Sequence, residues 1–190
     1  GQERMLLGIV LPIAMELEKK VRGLPFVDNA VVCGSIRRRR ETVKDIDILV
    51  VSKKPVQGID GFTSLPEIAR VLSKGGTKSS VILKAGLNCD LRVLEEKSYG
   101  AAVNYFTGSK EHNVALREMA VKKGWKLSEY GLFDAKTERF LAGRTEEELY
   151  NYFGMEYVEP ELRENNGEIQ AALEKRLPRV AAYDCMKGDL

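Results

Sequence analysis

The sequence predicts an α+β fold, a mixed β-sheet with flanking helices followed by a smaller unit of helices and short strands. Three observations carry this. Strand-like runs rich in β-branched and apolar residues at 27–33, 46–51, 81–84 and 88–94, the last of them strictly alternating, crowd the first half of the chain. Stretches with helical spacing lie beside and between them. From residue 98 onward the pattern changes to helices separated by short runs that end at glycine or aspartate. With 44% hydrophobic and 31% charged residues over 190 positions, the chain has ordinary globular composition. It is long enough for one solid core or two small subdomains.

Taken in order, residues 2–22 read as a helix stopped by Gly23 and kinked by Pro12. Lys19, Lys20 and Arg22 fall in its last turn, where cations suit the helix dipole. The strand at 27–33 breaks at Gly34 and Ser35, residues 37–44 are polar, and 46–51 form a second strand. Residues 66–72 read as a short helix and Gly75-Gly76 as a turn. Runs 81–84 and 88–94 flank Ala85-Gly86 as a hairpin. Beyond a boundary near 95–98, residues 98–104 and 109–123 have helical spacing, the second stopping at Gly124. Runs 125–132 and 139–142 can pair across a turn at 134–137. Thr145 with Glu148 three residues later is a capping box that opens a helix ending at Gly154. A last helix at 168–176 is stopped by Pro178.

The net charge of +2 hides an asymmetry. Residues 1–133 hold 22 Lys and Arg against 15 Asp and Glu, whereas residues 134–190 hold 8 against 13. A basic body with an acidic tail suits an anionic partner on one side. Cys33, Cys89 and Cys185 are far apart and form no paired motif, which fits a reducing cytosol and neither a zinc ribbon nor a disulfide framework. The single histidine, His112, excludes a histidine-rich metal cluster within the chain and reads as a surface residue of its helix. The apolar stretch at 5–15 contains Gly8 and Pro12, is too short to span a bilayer, and lacks a signal-peptide cleavage site.

The chemistry centres on Asp45-Ile46-Asp47. Side chains alternate along a strand, so Asp45 and Asp47 share a face. Close carboxylates raise each other's pKa, and a divalent cation reverses that preference. Oxygen ligands alone favour a hard ion such as Mg²⁺, with Mn²⁺ as an alternative. Asp90, in the alternating run Asn88-Cys89-Asp90-Leu91-Arg92, supplies a third acid if its strand lies beside the first; otherwise it reads as an ion pair with Arg92 or another cation. Three converging carboxylates can hold two metal ions roughly 3.5–4 Å apart for in-line phosphoryl transfer. Gly34-Ser35, ten residues before Asp45, lets backbone and hydroxyl approach a phosphate, and Arg37 to Arg40 can fork onto phosphate oxygens. The ordered set resembles the active site of the nucleotidyltransferase superfamily.

Tyr105-Phe106-Thr107-Gly108-Ser109, followed by Asn113 and Arg117, is similar to the corresponding segment of X-family DNA polymerases, the group of DNA polymerase beta. The run Gly124 to Leu132 resembles the segment that follows it there, and the resemblance covers most of residues 1–170. It implies a palm (1–96) carrying nucleotidyl transfer, a thumb (97–177) that grips the nascent base pair, and a linker (178–190). It implies two Mg²⁺ ions held by Asp45, Asp47 and Asp90, with Asp90 helping to activate the primer 3′-hydroxyl. Gly34, Ser35 and Arg38 would hold the β- and γ-phosphates. Tyr105 and Phe106 would line the sugar and oppose a ribose 2′-hydroxyl, with Gly108 and Ser109 in the same nucleotide site. Asn113 would reach the minor-groove edge of the incoming base and Arg117 that of the template, testing pair geometry without reading sequence. Glu129 and Tyr130 would join Arg117 in template contact. Without the resemblance, Tyr105 and Phe106 read equally as interface core, Asn113 and Arg117 as an exposed face, and Arg39 and Arg40 as exposed charges.

The resemblance also implies partners and place. The substrates would be a deoxynucleoside triphosphate and primer-template or gapped DNA, in the cytoplasm of a bacterium or archaeon at its nucleoid. Bacterial and archaeal members, which this sequence resembles more than the vertebrate ones, carry a helix-hairpin-helix region before the palm, and many carry a polymerase-and-histidinol-phosphatase domain after the thumb. Neither is in this sequence, so weak, salt-sensitive DNA binding is expected. Vertebrate members often have arginine where this chain has Asn88. Two other readings compete: a transferase acting on a non-DNA acceptor, and a catalytically weak or silent DNA-binding module.

Overall fold

The computed structural model describes residues 3–180; the expected linker therefore lies mostly outside the described residues. Met5–Leu6 (β1) pairs antiparallel with Thr42–Val43 (β3), and Leu7–Arg22 (α1) follows β1 directly. The first helix thus starts later than its periodicity suggests, because its first turn is drawn into a two-residue ladder. Next come Asn29–Val32 (β2), Gly34–Arg37 (α2), β3, Asp45–Val51 (β4), Pro55–Thr63 (α3), Ile68–Lys74 (β5), Lys78–Leu83 (β6) and Asn88–Leu94 (β7). The main sheet has the order β2-β4-β7-β6-β5, with β4 and β7 parallel and the other pairs antiparallel, so it is mixed as expected.

Two local expectations are corrected. The stretch expected as a helix at 66–72 is instead β5, which pairs with β6 across the Gly75-Gly76 turn. Most of its residues are exposed, so backbone pairing rather than burial holds it. The helix α3 has no counterpart among the expected elements, and it contains Gly58 and Gly61. Its Ile59 and Phe62 are fully buried, and this burial overrides the low helix propensity of glycine.

One face of the sheet is apolar. Ile46 and Ile48 of β4 and Cys89 and Leu91 of β7 pack with Val10, Ala14, Leu17 and Val21 of α1 and with Ile59 and Phe62 of α3. These residues supply the main core. The other face carries Asp45, Asp47 and Asp90 before giving way to Leu49, which packs with Cys33, Ala102 and Val103.

The second half holds Tyr99–Thr107 (α4), Lys110–Lys122 (α5), Trp125–Ser128 (β8), Gly131–Asp134 (β9), Phe140–Ala142 (β10), Glu146–Tyr152 (α6) and Glu168–Leu173 (α7). Strands β10-β9-β8 form an antiparallel sheet. Leu116, Ala120, Leu132, Leu149, Tyr150 and Phe153 belong to its separate core. The Thr145 hydroxyl accepts from the Glu148 backbone N–H at 3.0 Å, while the Glu148 carboxylate reaches the Gly143 N–H at 2.9 Å. The capping box is therefore half of the usual reciprocal pair. No helix among the described residues is long and apolar enough to cross a membrane.

Gly100 is where α4 meets the β10–α6 connection. A Cβ there would stand 2.2 Å from the Thr145 carbonyl carbon, and the Gly100 and Ala101 N–H groups donate to Arg144 and Gly143. Because the obstacle is backbone, it cannot swing aside. Gly100→Ala is expected to lower stability by about 1–3 kcal/mol or more, read as a lower midpoint in urea.

Candidate functional site

The register of the parallel pair brings the acids together. Asp47 lies opposite Asp90, and Asp45 opposite Asn88. Paired residues of adjacent strands face the same way, so the three carboxylates share one face at one end of the strands. Asp45 is exposed, and Asp47 and Asp90 are half-buried. Ser80, opposite Asp90 on β6, donates its hydroxyl to an Asp90 carboxylate oxygen at 2.6 Å. That serine was not singled out in the sequence, and only the strand pairing reveals it.

The electrostatics bear out the crowding. Burial, and then the charges of Asp90 and Asp45, push the Asp47 carboxyl from 3.8 up to about 6, against the opposing pull of Arg92 and Lys78. The folded state holds this proton more tightly than the unfolded chain does. Stability is therefore lost as pH rises from about 4 to 6, and the full cost persists at neutral pH. Asp47→Asn is expected to stabilise the protein by about 1–3 kcal/mol at pH 7.5 without divalent cations. Urea unfolding at pH 7.5 and pH 4 checks this, since the gain should vanish at the lower pH.

The donor set suits a hard divalent cation, because it is carboxylate oxygen and includes no histidine. Among the described residues, however, no three metal-ligating side chains are gathered closely enough to enclose an ion. The acids face one another without forming a closed cage.

Gly34 abuts the acids from the side. Its φ of +69° is a left-handed conformation, and a Cβ on it would stand 3.0 Å from an Asp47 carboxylate oxygen. Glycine meets both demands. The Cys33 N–H donates to the Asp47 carbonyl at 2.8 Å, which pins the start of α2 beside β4. Ser35 and Arg38 follow on this single helical turn and its end.

The arginine run is less free than its sequence suggests. Arg37 is paired with Glu146 at 2.6 Å and donates to the Thr107 hydroxyl at 2.9 Å. Arg38 donates to Glu164 at 2.9 Å and to the Thr107 carbonyl, and Arg40 lies 3.4 Å from Glu164. Arg39, expected to be exposed, is half-buried and bonds the Ile36 carbonyl, whereas Arg40 is exposed. The run therefore fastens the first half of the chain to the second.

The second half brings Tyr105, Asn113 and Arg117 into one small pocket with Ser128. Asn113 donates its amide nitrogen to the Tyr105 carbonyl at 2.7 Å, while its buried amide oxygen has no partner. The amide nitrogen carries a second hydrogen besides the one it donates to Tyr105. The Phe106 ring meets the Tyr105 ring edge-on, with centroids 5.0 Å apart, and has the Arg92 guanidinium 4.6 Å from its own centroid. Gly108 lies against Arg38, and the peptide between Gly108 and Ser109 is cis. Ser109 is buried, and its hydroxyl caps α5 by accepting from the His112 N–H. Glu129 and the exposed Tyr130 line a groove of about 770 Å³ with Lys78, Arg92 and Arg144. A groove with cations and an aromatic on its walls suits a phosphodiester chain.

His112 overturns its expectation as a surface residue. It is fully buried, bonded to Glu168 at 2.5 Å and to the Tyr150 hydroxyl at 2.8 Å. Both partners lie far along the chain, so no local signal marks them.

Residues 102–164 match the family described as DNA polymerase beta thumb. The chain is 35% identical over 170 residues to the DNA polymerase/3'-5' exonuclease PolX of Bacillus subtilis, covering 88% of this chain and 30% of that protein. It thus spans under a third of the length of that relative. It is 31% identical over 143 residues to repair DNA polymerase X of African swine fever virus (isolate Warthog/Namibia), covering 71% of this chain and 81% of the viral protein. The fold is similar to Leishmania infantum polymerase beta, solved as a ternary P/T complex. The TM-score is 0.73 with 24% identity, over 86% of this chain and 77% of that one.

Proposed function

The chain belongs to the X family of DNA polymerases, and on that footing we propose that it is a template-directed nucleotidyl-transfer core. It would add a deoxynucleoside monophosphate from the triphosphate to a primer 3′-hydroxyl during gap-filling repair, in the cytoplasm of a bacterium or archaeon at the nucleoid. The observation that carries this reading is the register that sets Asp47 beside Asp90, with Asp45 on the same face.

Asp45, Asp47 and Asp90 would hold two Mg²⁺ ions, with Mn²⁺ as a substitute. Bound divalent cations supply the charge that favours the primer alkoxide and neutralises the triphosphate. The protein's own part is positioning. Asp90, held by Ser80, presents its second oxygen toward the primer end. Gly34 brings backbone close to the triphosphate, Ser35 adds a hydroxyl, and Arg38 reaches the phosphates by exchanging the Glu164 carboxylate for a phosphate oxygen. Tyr105 lies along the sugar, Asn113 donates its remaining amide hydrogen to the minor-groove acceptor of the incoming base, and Arg117 faces the template base. Those acceptors are shared by all base pairs, so the contacts respond to pair shape. Glu129 and Tyr130 stand along the template path. The 1–96 and 97–177 division into palm and thumb follows from this assignment.

The test is extension of primed, gapped DNA by the 190-residue chain at low salt with Mg²⁺ or Mn²⁺. One nucleotide should be added in metal and none after chelation. A chain that neither extends the primer nor binds a deoxynucleoside triphosphate in a metal-dependent way would have another function.

A further inference from the structure

Behind the pocket formed by Tyr105 and Asn113 lies a buried polar relay that the proposed chemistry does not use. The Glu168 carboxylate on α7 meets His112 Nδ1 on α5 at 2.5 Å, and His112 Nε2 meets the Tyr150 hydroxyl on α6 at 2.8 Å. The same hydroxyl accepts from Asn104 Nδ2 on α4 at 2.9 Å. Tyr150, His112 and Asn104 are all buried, so each bond is made away from water.

The bonding pattern is satisfied by one set of proton positions. Asn104 donates through its nitrogen, so the tyrosine accepts there, and the buried hydroxyl's own hydrogen finds its acceptor in His112 Nε2. That leaves Nδ1 as the protonated nitrogen, facing a carboxylate that also accepts from the Asn165 and Asn166 backbone N–H groups. The ring is neutral in this arrangement. Burial, aided by Arg163, holds His112 below its usual range against the opposing effect of Glu168 and Glu146.

Two members of the relay are adjacent in sequence to the residues assigned above to the nucleotide. Asn104 precedes Tyr105, and His112 precedes Asn113, while Asn113 is itself bonded to the Tyr105 carbonyl. The spacing between α4 and α5 therefore has two ties: one at the pocket, and one through His112 and Tyr150 behind it. Apolar side chains would fill this space without a defined hydrogen-bond geometry, whereas a satisfied polar relay admits one arrangement.

We propose that His112 is a positioning residue for the incoming nucleotide, tying the helix that carries Asn113 to the helix that carries Tyr105 and so sharpening selection of the paired base. This rests on the polymerase reading above.

The experiment compares His112→Phe and Tyr150→Phe with the unsubstituted chain in single-nucleotide gap filling, measuring KM and kcat for the correct and an incorrect deoxynucleoside triphosphate. Both variants should raise KM for the correct nucleotide, on the order of tenfold for His112→Phe, with kcat within about twofold. Selectivity against the incorrect nucleotide should fall in parallel. In an Asn113→Ala background His112→Phe should add nothing further, because the contact it positions is gone. Tyr150→Phe removes one hydroxyl and guards against a folding failure in the histidine variant. Unchanged KM and selectivity in Tyr150→Phe, or an equal effect of His112→Phe with and without Asn113, would overturn the assignment while leaving the polymerase reading intact. No extension by the unsubstituted chain would instead remove the polymerase reading, and the proposal with it.

Discussion

Asp90→Ala is expected to slow single-nucleotide extension on the order of a thousandfold or more while leaving the fold and gapped-DNA affinity in place. The reasoning is geometric. Asp90 is half-buried on the polar face of β7, opposite Asp47, and its carboxylate accepts a hydrogen bond from the Ser80 hydroxyl. Removing it relieves repulsion on Asp47 and breaks no apolar contact, so stability should hold or rise. Activity loss combined with unchanged or raised stability separates a catalytic acid from a structural one. If Asp90→Ala kept its rate, or lost it only in proportion to unfolding, the acid cluster would not be the reacting centre. Ser80→Ala should show a smaller loss in the same assay, since it only orients the carboxylate.

Glu146→Ala is expected to have the largest effect on stability, about 3–5 kcal/mol, because it leaves two partly or fully buried guanidiniums without their counter-charge. Glu146 is buried and bonds Arg37 at 2.6 Å and Arg163 at 2.6 Å, and Arg163 is itself fully buried. Burial pulls the Glu146 pKa upward, but Arg163 and Arg37 outweigh it and hold the carboxyl below its ordinary value of 4.5. A depressed acid contributes stability above its unfolded pKa and loses it as pH falls through the folded value. The difference between Glu146→Gln and the unsubstituted chain should therefore be fully present at pH 7 and shrink below about pH 4.5. Denaturant unfolding across that range reads it. Because Arg37 follows the Gly34-Ser35 turn proposed to hold the phosphates, and Glu146 belongs to the second half of the chain, loss of the pair should also weaken nucleotide binding.

What the sequence reveals here, and what it hides, follows the range of the forces involved. Asp45 and Asp47 were legible because strand alternation is a local rule, and the buried Ile46 and Ile48 confirm the face assignment. That Asp90 lies opposite Asp47 depends on a parallel pairing across more than forty residues, which alternation alone cannot supply. Residues 66–72 misled because Ile68, Val71 and Leu72 mimic helical spacing, while pairing with β6 makes the stretch a strand. The arginine run read as free charge because its partners Glu146 and Glu164 are more than a hundred residues away. His112 read as a surface residue for the same reason, flanked as it is by Lys110 and Glu111. Charged and polar side chains advertise exposure in a sequence, and only tertiary partners show when they are buried in satisfied pairs.

The most direct test of the central claim is single-turnover insertion into a one-nucleotide gap, with each of the four templating bases in turn and all four deoxynucleoside triphosphates offered separately. The expected result is metal-dependent insertion that follows the templating base, lost in Asp47→Asn and Asp90→Ala. Insertion that ignores the template, or the absence of both insertion and metal-dependent nucleotide binding in the unsubstituted chain, would contradict it.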